Sequence, residues 1–424
     1  MELDAVVLLD ARSRIAIAGL TAGERAIRVA RRVGATRVRA VEAGARAELT
    51  AWRGGRGCPL LIIRADQLVH PPLVAPLVAA GAGPDGVAIA VGPDGAYAGA
   101  ALVTGAAADA GLAALARGEP DTALAATATA RVPHGEIARH PIATPDERRA
   151  AHRLLYRTLI KPQDNAITRY LYRPVSFPLT RLLVWTPITP NQVSIAVAIL
   201  TAIGCWLTAQ PDARRALIGT ALVLVASYVD CCDGEIARLK LLSSRLGAWL
   251  DTVIDELSTM GYMAALGWHC HLVHGHAGLD VWQAAIAAGV VTYGWSMYCI
   301  YYNIIVGVGS ANSQDYAARF EAVPGVAPGA MRIRPVTARA IAPRRPLPRP
   351  LAILATYAPY LIRRDFITWC SIFAVALGWI PALFAVFVAG GVVTSALVTI
   401  DHLRLRRLQR LLRRGGYIIE RTAR

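Results

Sequence analysis

Hydrophobic positions follow two different patterns along this chain. Up to about residue 140 the apolar runs are short, as at residues 5–9, 60–63 and 88–91, and they alternate with charged stretches of helical spacing and turn-forming Gly and Pro. That alternation predicts an α/β domain. From residue 191 to 400 the runs are long: 191–209, 216–228, 246–266, 284–307, 366–380 and 382–400, with Pro381 separating the last two. Helices of this length span a bilayer, so the second part is expected to be an all-α integral membrane domain of about six transmembrane helices. The expected organisation is 1–145 as the α/β domain, 146–190 as juxtamembrane amphipathic helices, 191–401 as the membrane domain and 402–424 as a basic amphipathic tail.

Composition supports the division. The 424 residues are 55% hydrophobic yet carry a net charge of +16. In a soluble protein that charge would point to nucleic acid, but here it flanks apolar spans, where it serves as topology signal and contact for anionic membrane lipids. Nucleic acid is therefore not an expected partner. Arg238, Lys240 and Arg245, the arginines of 332–364 and those of 404–414 belong on the cytoplasmic side, whereas 270–278 has no Lys or Arg and belongs outside; Arg214 and Arg215 are a mild exception. Glu2 and Asp4 with the short run 5–9 leave no room for a signal-peptide core, so the amino terminus is expected in the cytoplasm. The expected location is a multi-pass protein of the inner membrane, with the N-terminal domain, the active site and the tail cytoplasmic. The proline-dense 342–350 reads as a lipid-facing loop, and 402–414 as an interfacial helix. Seven cysteines without a C-x-x-C pair read as reduced packing thiols.

The chemistry is concentrated in D-C-C-D-G-E-I-A-R-L-K-L-L-S-S-R-L-G-A-W-L-D-T-V-I-D, which begins at Asp230 and ends at Asp255. Carboxylates in apolar surroundings are costly and need a partner. Asp230 and Asp233 are three apart, Asp251 and Asp255 four apart, so each pair lies on one face of a helix. Two such faces would repel unless cations sat between them, and hard oxygen ligands select Mg²⁺, Mn²⁺ or Ca²⁺ over zinc. A two-metal site serving phosphoryl chemistry follows, with one carboxylate free to accept the proton of an attacking hydroxyl. Gly234 and Gly247 let backbone approach a bulky ligand, and Arg238 can compensate charge. The competing reading is a set of helix-end salt bridges with neighbouring Arg and Lys.

The pattern D-x2-D-G-x2-A-R-x8-G-x3-D-x3-D is complete at Asp230, Asp233, Gly234, Ala237, Arg238, Gly247, Asp251 and Asp255, and in it the chain resembles the CDP-alcohol phosphotransferase family. The resemblance implies a six-helix membrane enzyme that moves a phosphoalcohol from a CDP-alcohol donor to an alcohol or lipid acceptor and releases CMP, with Mg²⁺ or Mn²⁺ as cofactor and a homodimer as assembly. Residue by residue it implies Asp230, Asp233 and Asp251 as metal ligands, Asp255 at the metal and as general base, and Gly234, Ala237, Arg238 and Gly247 around the cytidine diphosphate. T-P-N-Q-V-S at 189–194 extends it upstream; Asn191 there fits either the nucleotide or a helix cap.

K-P-Q-D-N-A-I-T-R-Y-L-Y-R-P-V-S, residues 161–176, resembles the branch of bifunctional inositol-1-phosphate cytidylyltransferases and di-myo-inositol-phosphate-phosphate synthases, although Asn165 stands where that branch commonly has Gly. Lys161, Arg169 and Arg173 are candidates for an acceptor phosphate, and interfacial anchoring explains them equally well. That branch implies an N-terminal nucleotidyltransferase-like, Rossmann-like domain and a CDP-inositol-like polar donor. In the first domain, V-V-L-L-D-A-R-S-R stands where the glycine-rich loop is expected; without a Gly after Leu9, and without the lysine expected downstream, the loop is not built to cradle a triphosphate. Asp66 stands where a metal-binding Asp is expected but equally suits a turn. The domain is therefore expected to be degenerate, with a structural or regulatory role.

His269, His271, His274 and His276 have spacing that zinc or copper would accept, but they fall on the outer connection, where a polar loop is the simpler reading. Other function classes remain: a CDP-diacylglycerol-dependent phosphatidyltransferase making a phospholipid such as a phosphatidylinositol phosphate, a noncatalytic scaffold, or a cation transporter. A transporter needs acids distributed through the membrane, and these cluster at one end.

Overall fold

The computed structural model describes residues 2–42, 48–160, 166–276, 278, 280–309, 316–325, 327, 329–336 and 364–420. The chain forms two compact units, one of Met1–Asp164, Pro178–Ile188 and Gly234–Leu242, the other of Asn165–Phe177, Thr189–Asp233 and Ser243–Arg424.

The first unit opens with β1 (Asp4–Leu9), the hairpin β2 (Ala16–Ile17) and β3 (Leu20–Thr21), α1 (Ala22–Arg32) and β4 (Arg37–Glu42). Next come α2 (Leu49–Arg53), β5 (Leu60–Arg64), β6 (Gln67–Val69), α3 (Ala75–Ala80), β7 (Val87–Val91), β8 (Tyr97–Val103), α4 (Gly105–Ala116) and α5 (Asp121–Ala126). β9 (Ala130–Pro133), β10 (Arg139–Pro141) and α6 (Pro145–Arg157) complete it. Six strands make one mixed sheet in the order β4-β1-β5-β8-β7-β9. β4, β1 and β5 are parallel, and β8 runs antiparallel to both of its neighbours. The buried runs of β1, β5 and β7 explain the short apolar segments, since a sheet covered on both faces has no polar side to alternate with. Alternate residues of these strands feed two cores, one with Val7, Leu61 and Ile63 and the other with Val6, Leu60 and Ile62. α1 begins where Thr21 caps the backbone NH of Glu24 while the Glu24 carboxylate accepts from the Thr21 NH.

The second unit is helical. α7 (Arg173–Leu183) starts in it, followed by α8 (Pro190–Thr208), α9 (Ala213–Leu239), α10 (Arg245–His274) and α11 (Val281–Asn303). After β11 (Phe320–Pro324) and β12 (Ala330–Pro335) come α12 (Arg364–Ala376), α13 (Ile380–Arg414) and β13 (Ile418–Glu420). Each of the six long apolar segments is helical. Among the described residues, four helices are long and apolar enough to cross a membrane: α8, α9, α13, and α11 with its extension to Val308. α10 carries the acids of its first turns, and α12 is short.

Three expectations are corrected. The break before α13 lies at Gly378, whose φ of +73° an L side chain would resist; Pro381 sits in the first turn of α13, where its missing NH costs nothing. The tail is continuous with α13, and its Leu405 and Leu412 are buried with Ile333 of the β11-β12-β13 sheet, so these two are covered by protein, whereas Leu403 and Leu411 stay exposed. His269, His271 and His274 belong to the last turns of α10 and not to a loop. The proline-dense 342–350 lies outside the described residues.

α8 and α9 approach closely at two glycines. A Cβ on Gly219 would stand 2.5 Å from the Gly204 carbonyl oxygen and 2.4 Å from the Thr208 nitrogen, distances no side chain tolerates. Gly219→Leu is expected to lower the thermal midpoint of the detergent-solubilised protein by roughly 5 °C or more, read by differential scanning fluorimetry.

Candidate metal and substrate site

The acidic motif occupies the C-terminal part of α9 and the N-terminal part of α10. On α9, Ala226 and Val229 precede Asp230 and Asp233 at helical spacing; on α10, Leu250 and Ile254 flank Asp251 and Asp255. These apolar residues and Val197 of α8 form one cluster, which brings the two acidic faces together. Carboxylate oxygens of Asp230, Asp233 and Asp251 lie within 4.8 Å of one another; Asp233 is buried and the other two are half-buried. At that separation each pair of anions repels by roughly 3 kcal/mol at an effective dielectric of about 20, less where water reaches the half-buried pair. All donors are hard oxygens. The set therefore fits one or more Mg²⁺- or Mn²⁺-like cations.

Ser194 of α8 donates to Asp233 Oδ2 at 2.6 Å, a buried bond that orients a ligand carboxylate from the neighbouring helix. Thr189 caps α8: its hydroxyl accepts from the Gln192 NH and its own NH donates to Gln192 Oε1 at 2.9 Å, with Pro190 at the first position. The capping alternative for Asn191 is thereby removed: it sits one residue further in, and its Oδ1 is 3.0 Å from where a Cβ on Gly247 would stand. Asn191 and Gly247, two positions expected around the nucleotide, are thus adjacent, and any larger residue at 247 would displace the Asn191 amide. Ser244 caps α10 by accepting from the Gly247 NH at 3.0 Å.

Asp255 is not one of the three carboxylates grouped within 4.8 Å. With Asp230 it lines a cavity of about 440 Å³ among the helices, to which Thr201, Ser227, Tyr293 and Thr394 also contribute. The cavity joins a carboxylate to a wall of hydroxyls. Gly234, Ala237 and Arg238 continue along α9; Arg238 Nη1 is 3.3 Å from the place of a Gly234 Cβ, so the guanidinium lies back over a residue that has no side chain.

Arg169 is exposed in the π-helical turn Thr168–Tyr172, Arg173 is buried with its guanidinium over the Phe177 ring at 5.4 Å, and Lys161 lies outside the described residues. The histidines hold no metal group among the described residues: His269 Nδ1 is 2.6 Å from the Gln210 carbonyl, and His271 lies between Asp280 at 2.8 Å and Gln283 at 3.2 Å. The Cys231 and Cys232 thiols donate to the Ser227 and Tyr228 carbonyls.

Two features escaped sequence reading. Ser194 ends the T-P-N-Q-V-S stretch, but its bond to Asp233 is recognised only across the helix pair. Glu256 follows Asp255, the one signal that was available, and lines the same cavity; it accepts from Tyr293 at 2.5 Å and Tyr301 at 3.0 Å, tying α10 to α11.

Residues 187–327 match the family model described as CDP-alcohol phosphatidyltransferase. The chain is 39% identical over 113 residues to a protein of Rubrobacter xylanophilus named bifunctional IPC transferase and DIPP synthase, 27% of this chain and 25% of that one. A protein of the same name from Aquifex aeolicus is 31% identical over 144 residues, 33% of this chain and 32% of its own. The phosphatidylinositol phosphate synthase of Corynebacterium glutamicum is 30% identical over 114 residues, 27% of this chain and 49% of its own. The chain spans a quarter to a third of the length of these bifunctional relatives. The match contains the whole acidic motif, so residues 187–327 are similar to CDP-alcohol phosphatidyltransferases, and the apolar helices long enough to cross a bilayer mark an integral membrane protein.

Metal binding is open to direct measurement. Titration of Mn²⁺ followed by electron paramagnetic resonance is expected to show sites that Asp233→Asn weakens by roughly 100-fold and Ser194→Ala by roughly tenfold, the difference separating a ligand from the residue that orients it.

Proposed function

We propose that this chain is a divalent-metal-dependent CDP-alcohol phosphotransferase whose donor is a CDP-inositol-like polar nucleotide. The observation that carries the reading is the convergence of Asp230, Asp233 and Asp251 from two helices, with Asp255 on the wall of the adjoining cavity. Asp230, Asp233 and Asp251 would hold Mg²⁺ or Mn²⁺, with Asp255 at its edge. Bound there, the metal would neutralise the diphosphate of the donor.

The chain's own groups do the rest. Asn191, Gly234, Ala237, Arg238 and Gly247 surround the cytidine diphosphate, and Asp255 takes the proton of the acceptor hydroxyl. The oxygen of that hydroxyl bonds to the phosphorus that carries the alcohol, the bond from this phosphorus to the CMP oxygen breaks, and CMP leaves with the electron pair. Arg169 and Arg173, with Lys161, are the candidates for an acceptor phosphate. The enzyme works as a homodimer in the inner membrane, with this site on the cytoplasmic side.

The names of the bifunctional relatives support a polar inositol-containing donor. A second reading is favoured by the Corynebacterium match, which covers about half of that protein: a CDP-diacylglycerol donor and a phosphatidylinositol phosphate product. The N-terminal unit reads as a nucleotidyltransferase-like fold without the chemistry. Asp10 Oδ1 accepts from the NH groups of Arg12 and Ser13 at 2.9 and 3.0 Å, so the chain's own carboxylate takes the amides that a phosphate would need. Asp66 is paired with Arg64.

A panel of CDP-alcohols crossed with acceptors, read by CMP release and mass spectrometry of the product, is expected to give turnover with CDP-inositol; turnover with CDP-diacylglycerol alone would establish the second reading. Asp255→Asn is expected to lower turnover by about 100-fold or more with an unchanged thermal midpoint. Full-length protein given CTP, Mg²⁺ and inositol phosphate is expected to release no pyrophosphate.

A further inference from the structure

The N-terminal unit includes Gly234–Leu242, the end of the helix on which the metal-binding carboxylates stand. The last carbonyls of any helix lack partners within it and carry the negative end of its dipole. At α9 two arginines of α1 take them. Arg25 Nη2 donates to the Leu239 carbonyl at 2.7 Å, and Arg28 Nη1 donates to the Lys240 carbonyl at 2.7 Å. Arg25 is fully buried, and burial, with Arg28 adding to it, lowers its pKa to about 10. Among the described residues its Nε and Nη1 have no hydrogen-bond partner, which carries a desolvation cost.

The same corner gathers the entry to α8. Lys240 Nζ donates to the Thr186 carbonyl at 2.6 Å and the Ile188 carbonyl at 3.2 Å, one residue before the cap of the helix that bears Asn191 and Ser194. Gly19, with a φ of +74°, lies so close to Val184 that a Cβ would meet its carbonyl oxygen at 1.9 Å. Leu241, also at positive φ, packs on the core of the first unit.

We propose that Arg25 and Arg28 are positioning residues for phosphoalcohol transfer: they clamp the C-terminal end of α9 and thereby set where Asp230 and Asp233 stand along its axis. Asp233 is six residues from Leu239, about 9 Å along an α-helix, a distance over which a helix is stiff. The role rests on the proposed function and explains what an N-terminal domain with a closed phosphate loop contributes to it.

The test uses the full-length chain with Arg25→Met, Arg28→Met, Arg25→Lys and, as control, Arg31→Met, an exposed position on the same helix. Mn²⁺ affinity by electron paramagnetic resonance, kcat and KM from CMP release, and thermal unfolding are measured on each. Arg25→Met and Arg28→Met are expected to weaken Mn²⁺ binding and lower kcat by roughly tenfold each with KM for the donor within about twofold, Arg25→Lys to recover at least half of the loss, and Arg31→Met to behave as wild type. Where Arg25→Met does not fold, Arg28→Met decides. A folded Arg28→Met protein with wild-type Mn²⁺ affinity overturns the clamp, even if its unfolding temperature falls. Failure of the functional reading looks different: wild type then releases no CMP from any donor, while the Mn²⁺ comparison still judges the clamp.

Discussion

Three carboxylates within 4.8 Å of one another among apolar helices cannot all remain anionic without opposing positive charge, and the helical unit is organised around that constraint. The pairs come together because Ala226, Val229, Leu250 and Ile254 bury themselves against Val197 on the same faces, so hydrophobic packing carries the cost of bringing like charges close. The close crossing of α8 and α9 at Gly204 and Gly219 brings Ser194 within reach of Asp233. Among the described residues the group offers oxygen donors alone, the donor type that hard divalent ions prefer.

Function is divided unequally along the chain. The N-terminal unit has a mixed sheet and two buried cores; within it Asp10 satisfies the amides of its first loop and Arg64 pairs with Asp66. Such a loop is stable without ligand, whereas a phosphate loop leaves its amides open. What the unit retains is a set of cations directed at helix carbonyls. A fold can lose its chemistry and stay necessary when another site depends on its geometry.

Much of this was legible from spacing. The motif from Asp230 to Asp255 fixed which carboxylates share a helix face, because a 3.6-residue period makes i, i+3 and i+4 neighbours whatever the tertiary fold. The apolar lengths identified the six helical segments. The cap at Thr189, by contrast, was masked by an equally good candidate at Asn191, since capping depends on one dihedral that sequence leaves open. The leucine stripe of the tail looked lipid-bound because an amphipathic face has the same pattern whether lipid or a small sheet covers it.

The sequence by itself determined which carboxylates share a helix face and beside which glycines they stand. These are local properties, set by residue type and helical period. Only the tertiary structure decided which residue orients Asp233, that Asn191 meets Gly247, and that Arg25 and Arg28 hold the end of α9. Those contacts join residues as many as 214 positions apart, and a bond across such a distance leaves no periodic trace in either partner.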